Sequence, residues 1–247
     1  MSVVLESGNE YLLTVRNGDN FSTHRGNIRH SDIYGKDFGE TLYTSQGMRA
    51  YILPPGIVEN IFFMERKTQI VYPKDMGFIL LMLDVKEGDS IIDVGLGSGS
   101  MCGALARFVG EKGKIYGYER REEFVEVASS NLETWGLRDR VDIRCKDIID
   151  GFDIYNVDAL FLDVPSPWEY IKVSWDALKG GGRLGIVSPT AGKVMQTLQE
   201  LNTHSFIQVQ VWENLFREFK PIPTSFRPFD RMIAHTTYMI FARKVCK

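Results

Sequence analysis

Cysteine is scarce in this chain: Cys102, Cys145 and Cys246 are its three among 247 residues. They are odd in number, far apart, and lack the paired spacing of a zinc site. Neither a disulfide framework nor a cysteine-held metal is expected, and free thiols suit a reducing, cytoplasmic compartment. Long apolar runs are missing as well. With no stretch of about 18 apolar residues, no membrane-spanning helix is expected. The opening MSVVLESGNEY has neither the basic region nor the apolar core of a signal peptide. Strong charge of one sign is also absent. Its 29 basic and 32 acidic residues give a net −3, which does not by itself advertise a nucleic-acid binder.

What is present divides by texture. Residues 1–56 carry short apolar-alternating runs, Tyr11 to Val15 and Thr41 to Tyr43, separated by turn clusters such as Asn17-Gly18-Asp19-Asn20. That pattern predicts a small β-rich module. Between them His24, Arg25, Arg29, His30 and Lys36 read either as a basic loop surface or as polar residues satisfied within turns. Pro54-Pro55-Gly56 makes a domain joint, leaving 57–247 as the larger domain. There, helical spacing over 57–64 and 76–83 flanks QIVYPKD, residues 69–75. Strand-like and helical runs then alternate to the C-terminus, with Gly180-Gly181-Gly182 read as a turn before a strand at 183–187. Alternation with short turns predicts an α/β fold with a parallel, doubly wound sheet.

The centre of the chain reads SIIDVGLGSGS, residues 90–100. A buried strand runs into Asp93, and Gly95, Gly97 and Gly99 then lead into an apolar-periodic helix from Met101 to Val109. Glycines there accept positive φ and let a ligand lie against the backbone. Glu119, about 20 residues on, stands where a carboxylate meets ribose hydroxyls. The spacing is G-x-G-x-G, not the dinucleotide G-x-G-x-x-G. Asp93 would repel a pyrophosphate yet suits a sulfonium or ammonium, which points to S-adenosylmethionine rather than NAD. Four successive strands end in Asp93, Glu119, Asp147 and Asp163. Ligands of such sheets bind at the carboxyl ends of the strands, so four acids along one rim form a binding-site pattern.

Residues 93–100, Tyr118-Glu119-Arg120, Lys146-Asp147-Ile148 and LDVPSPW (162–168) resemble the motifs of class I S-adenosylmethionine-dependent methyltransferases. QIVYPKD, the C-terminal RPFDRMIAHTTYMIFARK and the N-terminal HRGNIRHSDIYGKDFGETLYTSQG narrow this. Together they resemble the TrmI-type tRNA (adenine-N1)-methyltransferases, especially the archaeal branch, over nearly the whole chain. The resemblance implies a Rossmann-like sheet whose last strand is antiparallel. It also implies methylation of adenosine 58 in the T-loop of tRNA, and a homotetramer without metal. Some archaeal relatives carry His where Tyr72 stands and methylate position 57 too, so position 57 stays open. The cysteines that form disulfides in some hyperthermophilic relatives are absent from SPTAGKV and IPTSFRPF.

By motif, Gly97, Ser98, Gly99 and Ser100 would hold the methionine end of the cofactor, Glu119 the ribose and Asp147 the adenine amine. Gln69, Asp93, Gly95, Phe124 and Asp163 complete the implied cofactor set. Asp163 and Tyr72 are the catalytic candidates: Asp163 faces the target base, in a loop stiffened by Pro165 and Pro167, and Tyr72 offers a stacking face. Trp168 packs beside the base or fills the underside of that loop. Arg49, Lys74, Arg227, Arg231 and His235 are the candidate tRNA contacts, within a C-terminal section where basic residues outnumber acidic ones. Three alternatives are weighed: transfer to another acceptor such as an isoaspartyl residue, a non-catalytic tRNA-binding subunit, and an NAD-dependent oxidoreductase.

Overall fold

A computed structural model describes residues 1–246, which fall into two compact units, one spanning Met1–Met64 and the other starting at Glu65. The first unit contains β1 (Ser2–Leu5), β2 (Glu10–Leu12), β3 (Asn20–Thr23), β4 (Gly26–Arg29), β5 (Thr41–Tyr43), β6 (Arg49–Leu53) and α1 (Ile57–Phe63). Four strands form an antiparallel sheet in the order β2-β1-β6-β5, while β3 and β4 pair as a separate hairpin. Alternate side chains, among them Val3, Leu5, Ala50 and Ile52, bury into one core with Ile28. His24 and Arg25 form the tip of the β3–β4 hairpin. His24 Nδ1 lies 3.1 Å from the Tyr11 hydroxyl, and buried His30 accepts the Arg16 amide at 2.9 Å. His30 is a satisfied structural residue, whereas His24 stays exposed with Arg25 and Arg29. Sequence texture puts the joint at residue 56, whereas α1 packs on β2, so the first unit runs eight residues further.

The second unit contains α2 (Pro73–Met82), β7 (Ser90–Val94), α3 (Ser100–Val109), β8 (Lys114–Glu119), α4 (Glu122–Thr134), β9 (Val141–Cys145) and β10 (Val157–Leu162). It continues with α5 (Ile171–Ala177), β11 (Leu178–Ser188), α6 (Ala191–Leu201), β12 (Phe206–Trp212), β13 (Phe219–Lys220), β14 (Arg227–Pro228) and β15 (Tyr238–Lys244). Its seven-stranded sheet has the order β12-β15-β11-β10-β7-β8-β9. The β11, β10, β7, β8 and β9 pairings are parallel, and β15 runs antiparallel to both neighbours. Strand periodicity sends Ile92, Val94, Leu160, Leu162, Leu184 and Ile186 into a single core with Ile171 of α5 and Val194 of α6. On β11 and β15, Gly185 lies against Leu83, just beyond α2, and Phe241 meets the α2 ring of Phe78 edge to face. The central strands are thus buried on both faces, as parallel strands require, whereas the edge strand β12 is largely exposed.

Three local readings need correction. Gly180-Gly181-Gly182 lies within β11: Leu178 pairs with Val157 and Arg183 with Ala159, so the glycines form a bulge, and Gly181 takes φ +79°. Helix α2 begins at Pro73 rather than Met76, because proline at the first helical position is pre-set for it. The strand expected from Thr236 begins at Tyr238, since the Thr236 hydroxyl is engaged with Asp75.

Candidate active site

Strand order reverses at β7, which lies between β8 and β10, and a crevice opens there at the carboxyl rim. Three strand ends bring Asp93, Glu119 and Asp163 to that rim, and Asp147 follows two residues after β9. The Gly-rich turn is shaped by its neighbours. Gly95 has φ +83°, and a Cβ there would sit 2.0 Å from the Asp163 carbonyl oxygen. Only glycine lets the tip of β10 lie so close, and the Asp163 amide completes the join by donating to Val94 at 2.9 Å. Gly99, at φ +87°, starts α3 against Ala128 of α4. Asn131 of α4 braces the turn by donating to the Ser98 carbonyl at 2.9 Å and the Glu65 carbonyl at 2.8 Å.

The crevice has three lobes, and Asp163 lines them all. One, about 540 Å³, lies between Glu119, Asp147, Tyr170 and Asp163. A second, about 910 Å³, follows the turn from Gly95 to Ser100 and includes Gln69. The third, about 1010 Å³, is walled by Gln69, Tyr72, Pro189, Ile233 and His235.

The electrostatics favour a positively charged guest. Asp93 is buried and its Oδ2 has no hydrogen-bond partner among the described residues. Desolvation, then the charges of Asp163 and Glu119, push its carboxyl up to about 8 against the opposing effect of the Cys102 thiol beside it. Asp163 is open to the crevice on one side but crowded by protein on the others; desolvation and then Glu119 push it up to about 6. Glu119 accepts the Gly97 amide at 3.2 Å and the Arg121 amide at 3.1 Å. The amide a pyrophosphate would need therefore already serves a carboxylate. A nucleoside with a cationic tail fits this donor set, and a dinucleotide does not.

Most cofactor candidates line the lobes, but Asp93, Gly99 and Phe124 do not. Phe124 is buried beneath the Arg121 guanidinium, 3.8 Å from the ring centroid, and meets Glu119 through that arginine. The proposed tRNA contacts differ in how they are engaged. Lys74 is committed internally, donating to Asp75, to the Asn214 carbonyl at 2.9 Å and to the Thr236 hydroxyl at 2.7 Å. His235 is held between Glu213 and Pro189. Arg49 pairs with Glu6 at 3.7 Å and Arg227 with Asp230, while Arg231 has no ion-pair partner among the described residues. Sequence reasoning misses Tyr170, Pro189 and Ile233 as lining residues. Of these, Pro189 alone carries a signal, as the residue just past the carboxyl end of β11. Trp168 lines none of the three lobes.

Comparison with known proteins gives matches across most of the chain. The family described as "tRNA methyltransferase complex GCD14 subunit" matches residues 51–225. A curated relative from Methanocaldococcus jannaschii, tRNA (adenine(57)-N(1)/adenine(58)-N(1))-methyltransferase TrmI, is 30% identical over 98% of this chain and 93% of its own length. A Thermotoga maritima structure, described as a SAM-dependent O-methyltransferase, is 53% identical with a TM-score of 0.96, covering 100% of this chain and 92% of that one. The tRNA (m1A58) methyltransferase TrmI of Aquifex aeolicus is 30% identical with a TM-score of 0.88, covering 100% and 98%.

Proposed function

This chain belongs to the GCD14 tRNA methyltransferase family, and from that premise we propose that it transfers a methyl group from S-adenosylmethionine to N1 of adenosine 58 in the T-loop of tRNA. The observation that carries the reading is the meeting of three lobes on one carboxylate, Asp163. Such a junction serves a two-part cofactor and an acceptor whose reacting atoms come together at a single point.

When bound, the cofactor supplies an electrophilic methyl group on a sulfonium. Glu119 would take the ribose hydroxyls, Asp147 the adenine amine, and the turn from Gly97 to Ser100 the methionine end. Gln69 and Tyr72 would wall the meeting point. The N1 lone pair of adenine lies in the ring plane, so no proton has to leave before attack. Asp163 therefore acts by orientation and charge: it accepts a hydrogen bond from the exocyclic amine, strengthens N1, and stabilises the cation that forms. A carboxyl near 6 is mostly ionised at neutral pH, as that role needs. The target base must leave its stack to reach the third lobe, which costs a few kcal/mol, offset by backbone contacts. Arg49, Arg227 and Arg231 are the basic residues we assign to those contacts.

The same reading makes the protein a cytoplasmic homotetramer. Support for assembly comes from side chains left in solvent, including Leu215, Phe216, Phe226 and Ile233. O-methyl transfer is a second reading, favoured by the likeness to the Thermotoga O-methyltransferase structure. It would require a base to remove a hydroxyl proton. Labelled methyl incorporation into tRNA transcripts separates the two. The N1 reading predicts label in a wild-type transcript and reduced label in one with guanosine at position 58; undiminished label in the second would sink it.

A further inference from the structure

The chain between β12 and β15, residues 213–237, is a 25-residue excursion at the carboxyl rim. The short β13–β14 pair supplies its only strands. Its two ends are fastened at neighbouring points. On one side, Lys74 in the first turn of α2 reaches the Asn214 carbonyl and the Thr236 hydroxyl. On the other, His235 Nδ1 lies 2.7 Å from a Glu213 carboxylate oxygen and Nε2 lies 3.0 Å from the Pro189 carbonyl oxygen. The carbonyl can only accept, and so can the ionised carboxylate. Both ring nitrogens must therefore carry protons for both bonds to exist, and a neutral ring satisfies only one.

We infer that His235 is a positioning residue for methyl transfer: as an imidazolium it clasps the ends of β11 and β12 together and fixes the wall of the acceptor lobe. This rests on the proposed reading of that lobe as the place of the target base. The clasp joins Pro189, which also borders the turn lobe, to the excursion that carries Ile233. The groups facing His235 are Glu213 on the excursion, Lys74 and Asp75 from α2, Asp163 across the lobe, and the Tyr238 ring at 4.7 Å. Lys74 opposes its charge, but Asp75 pairs with Lys74 at 2.9 Å. The bonds that the ring donates to Pro189 and then to Glu213 hold the imidazole above its ordinary value. The clasp is thus closed below that raised value and opens as pH rises through it.

Two measurements test this. The first is the pH dependence of KM for unmodified tRNA, alongside the Kd for S-adenosylmethionine, in the wild type, His235→Asn, His235→Arg and Glu213→Gln. The expectation for the wild type is a several-fold rise in KM on the alkaline side with little change in cofactor Kd. His235→Asn should show the high KM at every pH, and His235→Arg, which keeps a charged donor fork, should partly restore it without the pH dependence. Glu213→Gln should move the rise to lower pH. A wild-type KM and pH profile in His235→Asn overturns the inference. The second is imidazole NMR, which needs no activity: with only four histidines, His235 can be assigned by its loss in the variant. The clasp predicts titration above the usual imidazole range, lowered by Glu213→Gln, and an ordinary or lowered value overturns it. A protein that shows the NMR signature yet methylates no tRNA keeps the clasp and removes the proposed function instead.

Discussion

Asp163 and Glu119 both stand at strand ends, but their surroundings assign them different work. Asp163 touches all three lobes, whereas Glu119 is buried at the base of the cofactor side. Replacing Asp163 with Ala should lower kcat by about 10²–10³-fold, the range for losing one preorganised electrostatic contact, with S-adenosylmethionine Kd nearly unchanged. Glu119→Ala should do the reverse, weakening cofactor affinity by about 10–100-fold through lost charge-assisted hydrogen bonds. Calorimetric titration beside single-turnover kinetics separates the two patterns. The raised carboxyls give a pH signature with a definite sign. Asp163 at about 6 and Asp93 at about 8 lie above their unfolded values, so the stability they contribute is greatest in acid and is lost as pH rises through those values. A cationic ligand reverses this, because it prefers the ionised carboxylates. Because loss of Asp163 should leave the Kd nearly unchanged, this falls to Asp93: cofactor affinity should rise as pH climbs through about 8, and the ligand-induced gain in Tm should grow over the same interval. A pH-independent Kd would contradict it. The acidic rim is legible in the sequence because each acid closes or follows an apolar run. The internal engagements of Lys74 and His235 are not legible there for the opposite reason: their partners, Asn214 and Glu213, stand 140 and 22 residues away, and sequence does not display such pairings.

Among elements, the β7–α3 turn matters most, and its fit to β10 can be tested directly. Gly95→Ala places a methyl group on a backbone carbonyl at positive φ, so neither rotamer change nor side-chain movement relieves it. A loss of about 2–4 kcal/mol is expected from overpacking and positive φ together. Chemical denaturation would measure it, and a wild-type midpoint would contradict the packing described. Strand and helix order across residues 90–201 is readable because apolar period switches between two and 3.6 there. The glycine bulge in β11 is not. Three glycines look like a turn until the partner strand fixes the register on either side. The excursion 213–237 is equally opaque, because its mixed apolar and basic residues follow no period and its anchors lie on other elements.

At the scale of the whole molecule, the exposed apolar side chains of residues 207–233 call for partners. Analytical ultracentrifugation should give a mass near four times the 28.2 kDa chain, and a monomer at micromolar concentration would contradict the homotetramer. Neither composition nor net charge announces an RNA substrate. The α/β class comes from patterning, the cofactor from the acidic rim, and tRNA enters only through the resemblance of whole motifs. The most direct test of the central claim is nucleoside mass spectrometry of unmodified tRNA incubated with the protein and S-adenosylmethionine, with the product mapped by nuclease fragments. The account predicts 1-methyladenosine in the T-loop fragment at position 58, and the same map reads position 57. Cofactor binding with no methylated adenosine, or with the methyl group on a ribose oxygen, would contradict it.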